Sequence, residues 1–349
     1  MAPYWSEDWG NPSSRQHRLG LTASAAVNLA RRQIADALAV TPQQLVFTSG
    51  ATEANNLALL GHARARGSGH LISVATEHHA VLDPLQQLQR EGFRVTPRTP
   101  GPEGLITPEQ LRQAITPETQ LVSVMTANNE IGVLQPMTAL AAVCRDHGIT
   151  LHSDAAQAFG HIPLEPDAMG VDLLSLSAHK LYGPKGVGAL VIRDGIALQP
   201  LPWGGAQEAG LRAGTLPTAL IVGFAAAVQL AMQDREQRQQ RLALLRDQLW
   251  ADLQRKIPDV RLNGALATRL AHNLNITLPG VSGSRLQRAL KPQLSCSSGS
   301  AITYRHWSAS WLPGTLPPSA SRGQSHPLKC CARIQMAPSS WPALTAVER

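Results

Sequence analysis

The chain has 349 residues, 43% hydrophobic and 16% charged, long enough to bury a large α/β core and a smaller second one. No run reaches the roughly 18 apolar residues of a transmembrane helix and no basic-then-apolar leader opens it, so a soluble cytoplasmic protein with no membrane partner is expected. The net charge of +7 does not point to nucleic acid: from Ile302 onward five basic residues face one acid, Glu348, supplying +4 of it without a basic stripe or interleaved aromatics.

In chain order, apolar runs predict strands at 45–48, 70–74, 120–125, 149–153, 172–177 and 188–192, with helices at 51–64, 80–90 and 137–147 between them. This alternation predicts an α/β fold with a doubly wound, mostly parallel sheet, whose ligands bind outside the strand carboxyl ends. One long helix is predicted over 219–253, small and apolar at first and charged later. Segments 259–262, 272–277, 286–290 and 293–297 then predict a smaller, incomplete α+β domain. Past Ile302, Pro, Ser, Trp, Arg and Gly dominate, three of the seven tryptophans occur (Trp307, Trp311, Trp341), and neither periodicity persists. The expected division is a large domain over 1–230, a partial small domain over 231–301 and a divergent, disordered tail over 302–349.

Lys180 ends the alternating stretch Leu174-Ser175-Leu176-Ser177-Ala178-His179-Lys180. A lysine at a buried strand end is a costly structural choice, because its ammonium is strongly hydrated. Chemistry can use it, since a lysine of lowered pKa attacks aldehydes. Asp154, in His152-Ser153-Asp154-Ala155-Ala156-Gln157, also ends an apolar run. An amine and a carboxylate so placed suit pyridoxal 5'-phosphate, which takes a lysine at its aldehyde and an acid at its ring nitrogen. Ser49-Gly50-Ala51-Thr52, between a strand and a helix, offers N–H groups and a hydroxyl to a phosphate, with an ordinary helix N-cap as the alternative.

Seven motifs in order resemble the cysteine desulfurase family, the NifS/IscS-like branch of the class V aminotransferases. They are Phe47-Thr48-Ser49-Gly50-Ala51-Thr52-Glu53-Ala54-Asn55-Asn56, Thr76-Glu77-His78-His79-Ala80, Asn128-Asn129-Glu130-Ile131-Gly132-Val133 and Asp154-Ala155-Ala156-Gln157. Ser177-Ala178-His179-Lys180, Gly204-Gly205-Ala206-Gln207-Glu208 with Arg212-Ala213-Gly214-Thr215, and Ser297-Ser298-Gly299-Ser300-Ala301 complete the set. The resemblance implies fold type I of the pyridoxal-phosphate enzymes. It implies phosphate contacts from Ala51, Thr52, Ser177 and His179, and from Thr215 across a homodimer interface. It also implies a ring-stacking, proton-shuttling His78, a ring-nitrogen partner in Asp154, and hydrogen bonds to the phenolic oxygen and nearby groups from Gln157 and Asn129; for Asn128-Asn129 a turn is the alternative. Lys180 would hold the cofactor covalently and move the substrate's α-proton. The implied substrate is L-cysteine, the product alanine, and the sulfur's destination an acceptor or scaffold protein in iron–sulfur cluster assembly.

The sequence departs from the family where a nucleophilic cysteine should follow Ala301: Ile302 stands there, and its hydrocarbon side chain cannot carry sulfur. Cys296, six positions earlier, is expected to be a small buried hydrophobe, with a substitute nucleophile as the alternative. The other cysteines (Cys144, Cys330, Cys331) lack disulfide-framework and zinc-ligand spacing, so no metal is expected. The family's closing arginine segment is not recognisable after Ile302, and its opening strand is not recognisable before Pro3-Tyr4-Trp5. Gly323 through Cys331 can be encoded so that a shifted frame reads Ala-Lys-Pro-Ser-Leu-Glu-Val-Leu, resembling the family's Pro-Ser-x-Val-Leu, an expectation the gene's nucleotide sequence tests. Two further readings stay open: a pyridoxal-phosphate lyase or aminotransferase needing no cysteine, and an inactive homologue that only binds cofactor and dimerises.

Overall fold

The computed structural model describes residues 1–281, 283, 286, 288, 296–298 and 330–335. They form two compact units: residues 1–101, 105–128 and 135–233 in the first, and residues 102–104, 129–134 and the chain from Asp234 onward in the second. Two short excursions of the first unit's chain are counted in the second.

The first unit is built on seven strands: β1 (Leu45–Thr48), β2 (His70–Val74), β3 (Arg94–Arg98), β4 (Thr119–Ser123), β5 (Thr150–Asp154), β6 (Leu173–Ser177) and β7 (Gly188–Ile192). Their order is β1-β7-β6-β5-β4-β2-β3, parallel throughout from β6 to β3, with β7 antiparallel to both its neighbours. All strands but β3 are buried along their whole length, as expected for a sheet with helices on both faces. Polar side chains still fit inside it. His152 on β5 bonds Ser123 of β4 at 2.8 Å and Ser175 of β6 at 3.0 Å, so this buried imidazole is satisfied on both nitrogens.

The helix following β1 runs from Ala51 to Arg66 with a π-helical stretch at Leu57–Gly61. The structure divides the expected 219–253 helix into Thr218–Gln233 and Arg235–Lys256, with Asp234 (φ −126°, ψ 29°) off helical geometry between them. The first half packs Ala219, Ile221, Phe224 and Val228, and the edge of one ring meets the face of the other between Phe224 and Phe159 at 6.2 Å.

The second unit carries an antiparallel sheet in the order β10 (Cys296–Ser298), β11 (Cys330–Gln335), β9 (Asn273–Leu278), β8 (Arg261–Leu262). Strand β11 corrects the expectation of a wholly unstructured tail: Cys330–Gln335 pairs antiparallel with β9 over six residues. Trp250 of helix Arg235–Lys256 packs with Leu274, Ile276 and Leu278 of β9 to make this unit's core. Gly132 (φ +73°) is required there, because a Cβ would meet the Asn273 side chain at 2.4 Å. Ile302 and the Gly299-Ser300-Ala301 end of its motif lie outside the described residues.

Candidate cofactor site

Asp154 is the last residue of β5 and only 6% exposed. One carboxylate oxygen, Oδ1, accepts the Ala156 N–H at 2.9 Å; Oδ2 accepts the Asn55 side-chain amide at 2.7 Å. Burial pushes its pKa up, opposed by these two donors and by the nearby charges of His78 and Lys180. The strand next to β5 is β6, and the 3-10 turn Ala178–Leu181 that follows it carries His179 and Lys180, both exposed. Tyr182 ends that turn in left-handed geometry (φ +64°). Ser177 Oγ and His179 Nδ1 lie 2.8 Å apart. Burial, then the cations Lys180 and Lys185, lower the His179 pKa.

Ala51 and Thr52 open the helix after β1, where first-turn N–H groups have no intrahelical acceptor. Gly50 precedes them at φ +149° and touches β7 closely: a Cβ on Gly188 would meet the Gly50 Cα at 2.7 Å. Thr52 and His78 line one cavity of about 440 Å³ with Asn56, His79 and Asp83. His78 caps helix His79–Arg90, its Nδ1 accepting the Ala80 N–H at 3.0 Å, so the neutral ring carries its proton on Nε2. Gln157 is buried, three residues beyond Asp154.

Thr215 is exposed, on the segment joining β7 to helix Thr218–Gln233. Two carboxylates secure that segment. Glu208 accepts the Phe47 N–H at 2.6 Å and pairs with Arg31 at 2.5 Å; Glu53 takes the Ser49 N–H at 2.6 Å and Arg212 at 2.9 Å. Asn129 begins the stretch that belongs to the second unit and bonds its neighbour Glu130 at 3.3 Å, whereas Asn128 remains in the first, buried, donating to the Thr76 carbonyl at 3.0 Å. The first unit therefore places Ala51, Thr52, His78, Asp154, Gln157, Ser177, His179 and Lys180 at the carboxyl ends of β1, β2, β5 and β6, whereas Thr215 follows β7 and Asn129 belongs to the second unit.

The sequence matches the family described as Aminotransferase class-V over residues 1–313. The chain belongs to that family. Similar curated proteins include the cysteine desulfurase IscS of Aeromonas hydrophila, 48% identical over 299 residues that cover 84% of this chain and 74% of that protein. A probable mitochondrial cysteine desulfurase of Dictyostelium discoideum is 42% identical over 307 residues, covering 87% of this chain and 68% of its own. Among solved structures, a NifS-like protein superposes with a TM-score of 0.86 at 31% identity, covering 96% of this chain and 88% of its own. SspA in complex with cysteine gives 0.75 at 38% identity, covering 86% and 85%. The NifS/IscS-like resemblance and the fold type I sheet are thus borne out, and the chain is a class V enzyme whose cofactor is pyridoxal 5'-phosphate.

The residues present suit that group. A dry carboxylate with donors on both oxygens still has a lone pair for a ring N–H, and an amine close enough to affect its ionisation stands on the adjacent strand's turn. Two buried residues beside Asp154 carried no role in the sequence reading: Asn55, fully buried and bonded to it, and Glu77, 3% exposed with Oε1 accepting the Met125 N–H at 2.5 Å. Both sit inside quoted motifs, but their partners lie 99 and 48 residues away in the chain.

Proposed function

We propose that this class V enzyme is a cysteine desulfurase-like transferase acting on L-cysteine or a related amino acid. The observation that carries this reading is Asp154 and Lys180 at the ends of neighbouring strands β5 and β6, in a chain with desulfurase relatives. When bound, pyridoxal phosphate supplies an electron sink for the bonds at an amino acid's α-carbon. Asp154 would hold the ring nitrogen and Lys180 the aldehyde carbon; Ala51, Thr52, Ser177 and His179 would hold the phosphate. The imidazole of His78 would cover the ring face, its Nε2 holding a proton, while Gln157 would serve the phenolic oxygen. The Lys180 amine would be the base that takes a proton from the substrate's α-carbon and returns it.

A homodimer in the cytoplasm fits the exposed Thr215, which shares its segment with Trp203, 76% exposed. Passing sulfur to an acceptor or scaffold protein for iron–sulfur cluster assembly would need a thiol nucleophile where Ile302 stands. Ile302 favours a second reading, a lyase or aminotransferase that keeps the cofactor site and needs no cysteine nucleophile.

The test is borohydride reduction of cofactor-loaded protein followed by peptide mapping, with L-cysteine turnover assayed in parallel. A pyridoxyl group on the Lys180 peptide is expected, and no adduct on that peptide overturns the reading. Ile302→Cys is expected to raise alanine and protein-bound persulfide together. Pyruvate or transamination products in place of alanine would establish the second reading.

A further inference from the structure

We propose that Asn55 is a positioning residue of the cofactor site: its side-chain amide fixes the Asp154 carboxylate in the orientation and charge state that receive the ring nitrogen. The inference rests on the reading of Asp154 given above. Asn55 is 0% exposed, on the helix that opens with Ala51 and Thr52, and its Nδ2 donates to Asp154 Oδ2 at 2.7 Å. That distance is in the range of charge-assisted hydrogen bonds to an ionised acceptor.

The opposite amide orientation would place two acceptors 2.7 Å apart, so the donor faces the acid. The other amide atom, Oδ1, is buried with no hydrogen-bond partner. An unsatisfied buried carbonyl destabilises a fold, and an alanine or leucine would avoid it. What the amide provides in return is the only side-chain hydrogen bond that Asp154 makes among the described residues; its other donor is the Ala156 backbone N–H. Each Asp154 oxygen thus faces a donor, an arrangement that favours a carboxylate over a carboxylic acid. Rotation about the terminal side-chain torsion, otherwise broad, is restrained at both oxygens. The same helix carries the phosphate-facing Ala51 and Thr52, so one rigid element sets the two ends of the cofactor in register.

Asn55→Leu removes the donor at similar volume, and Asn55→Ser retains a shorter one. The measurements are the dissociation constant for pyridoxal phosphate, the pH midpoint of the visible absorption band of loaded protein, and the melting temperature of the cofactor-free protein. About a tenfold weaker constant and a displaced midpoint are expected for Asn55→Leu, with Asn55→Ser between it and the wild type. In an Asp154→Asn background, either Asn55 substitution is expected to change the constant less than about twofold, because nothing remains to position. Wild-type affinity and midpoint in Asn55→Leu, or full additivity with Asp154→Asn, overturns the proposal. Should Asn55→Leu fail to fold, the Asn55→Ser cycle decides by the same criterion. A wild-type protein that takes up no pyridoxal phosphate sinks the reading of the site itself, a different failure from variants that bind as well as wild type.

Discussion

The ends of β5 and β2 each present a buried carboxyl group, and the two are equipped differently. Asp154 receives two N–H donors, one on each oxygen, and has Lys180 close enough to act on its ionisation. Glu77 receives one donor, the Met125 N–H; its second oxygen, Oε2, has no hydrogen-bond partner, and its charged neighbour is Asp154 itself. Burial raises the pKa of both, and Glu77 is driven well above the ordinary carboxylate range. In the ligand-free protein burial outweighs the donors around Asp154, and a cationic ring nitrogen placed against it would reverse that balance. Burial alone therefore does not mark a functional acid; the donors around it do. Asp154 is built to be charged when the cofactor arrives, and Glu77 to stay neutral.

Breaking the first member of this pair should have the largest effect. Asp154→Asn keeps the shape and removes the charge, and about a hundredfold weaker pyridoxal-phosphate binding is expected by equilibrium dialysis. A change below threefold would show that the acid is not the ring's partner. Glu77→Ala should act on stability instead. It leaves the buried Met125 N–H without an acceptor and opens a cavity, so a loss of about 2–3 kcal/mol in denaturant unfolding is expected, with cofactor affinity kept within about threefold. The comparison fails if the two substitutions prove interchangeable in their effects.

This contrast explains what could be foreseen. Strands β1, β2 and β7 coincide with the expected 45–48, 70–74 and 188–192 because each is a bounded apolar run. Strand β3, Arg94-Val95-Thr96-Pro97-Arg98, was not expected: it lies at the sheet edge, where charged residues and a proline are tolerated and the apolar pattern disappears. The break at Asp234 carries no glycine or proline to announce it. Lys180, Asp154 and His78 could be named from the sequence because each sits in a contiguous motif. Asn55 and Glu77 acquire their meaning from contacts far along the chain, which no local pattern encodes.

A third test extends the comparison to bases. Burial lowers the pKa of His152 to about 3 and of His62 to about 4, from ordinary values of 6.5. The unfolded chain therefore binds protons on these rings that the folded chain refuses, and stability falls as pH drops from about 6.5 through 4 toward 3. Glu77 works in the opposite sense, since its folded form keeps a proton the unfolded chain releases above its ordinary 4.5. Asp154 is raised in the same sense as Glu77, but burial also lowers His70 and His179. Four rings thus oppose two acids, and the melting temperature should drop on acidification. His152→Gln can still bond Ser123 and Ser175 but cannot titrate, and should flatten that drop. A wild-type melting temperature level over this range would remove the premise that both rings are held neutral.

The smallest expected effect is the sharpest discriminator. Glu77→Gln preserves the side chain's length and leaves a carbonyl oxygen to accept the Met125 N–H at the 2.5 Å position. If Glu77 is uncharged at neutral pH, the amide is a near-isosteric copy of the protonated acid. Stability should then change by less than about 1 kcal/mol, and cofactor affinity by less than about twofold. If instead Glu77 carried a charge, removing it would relieve repulsion on Asp154 and visibly shift the pH dependence of cofactor binding. Parallel binding titrations of wild type and Glu77→Gln from pH 6 to 9 separate the cases, because superimposable curves require a neutral Glu77 and a displaced curve requires an ionised one.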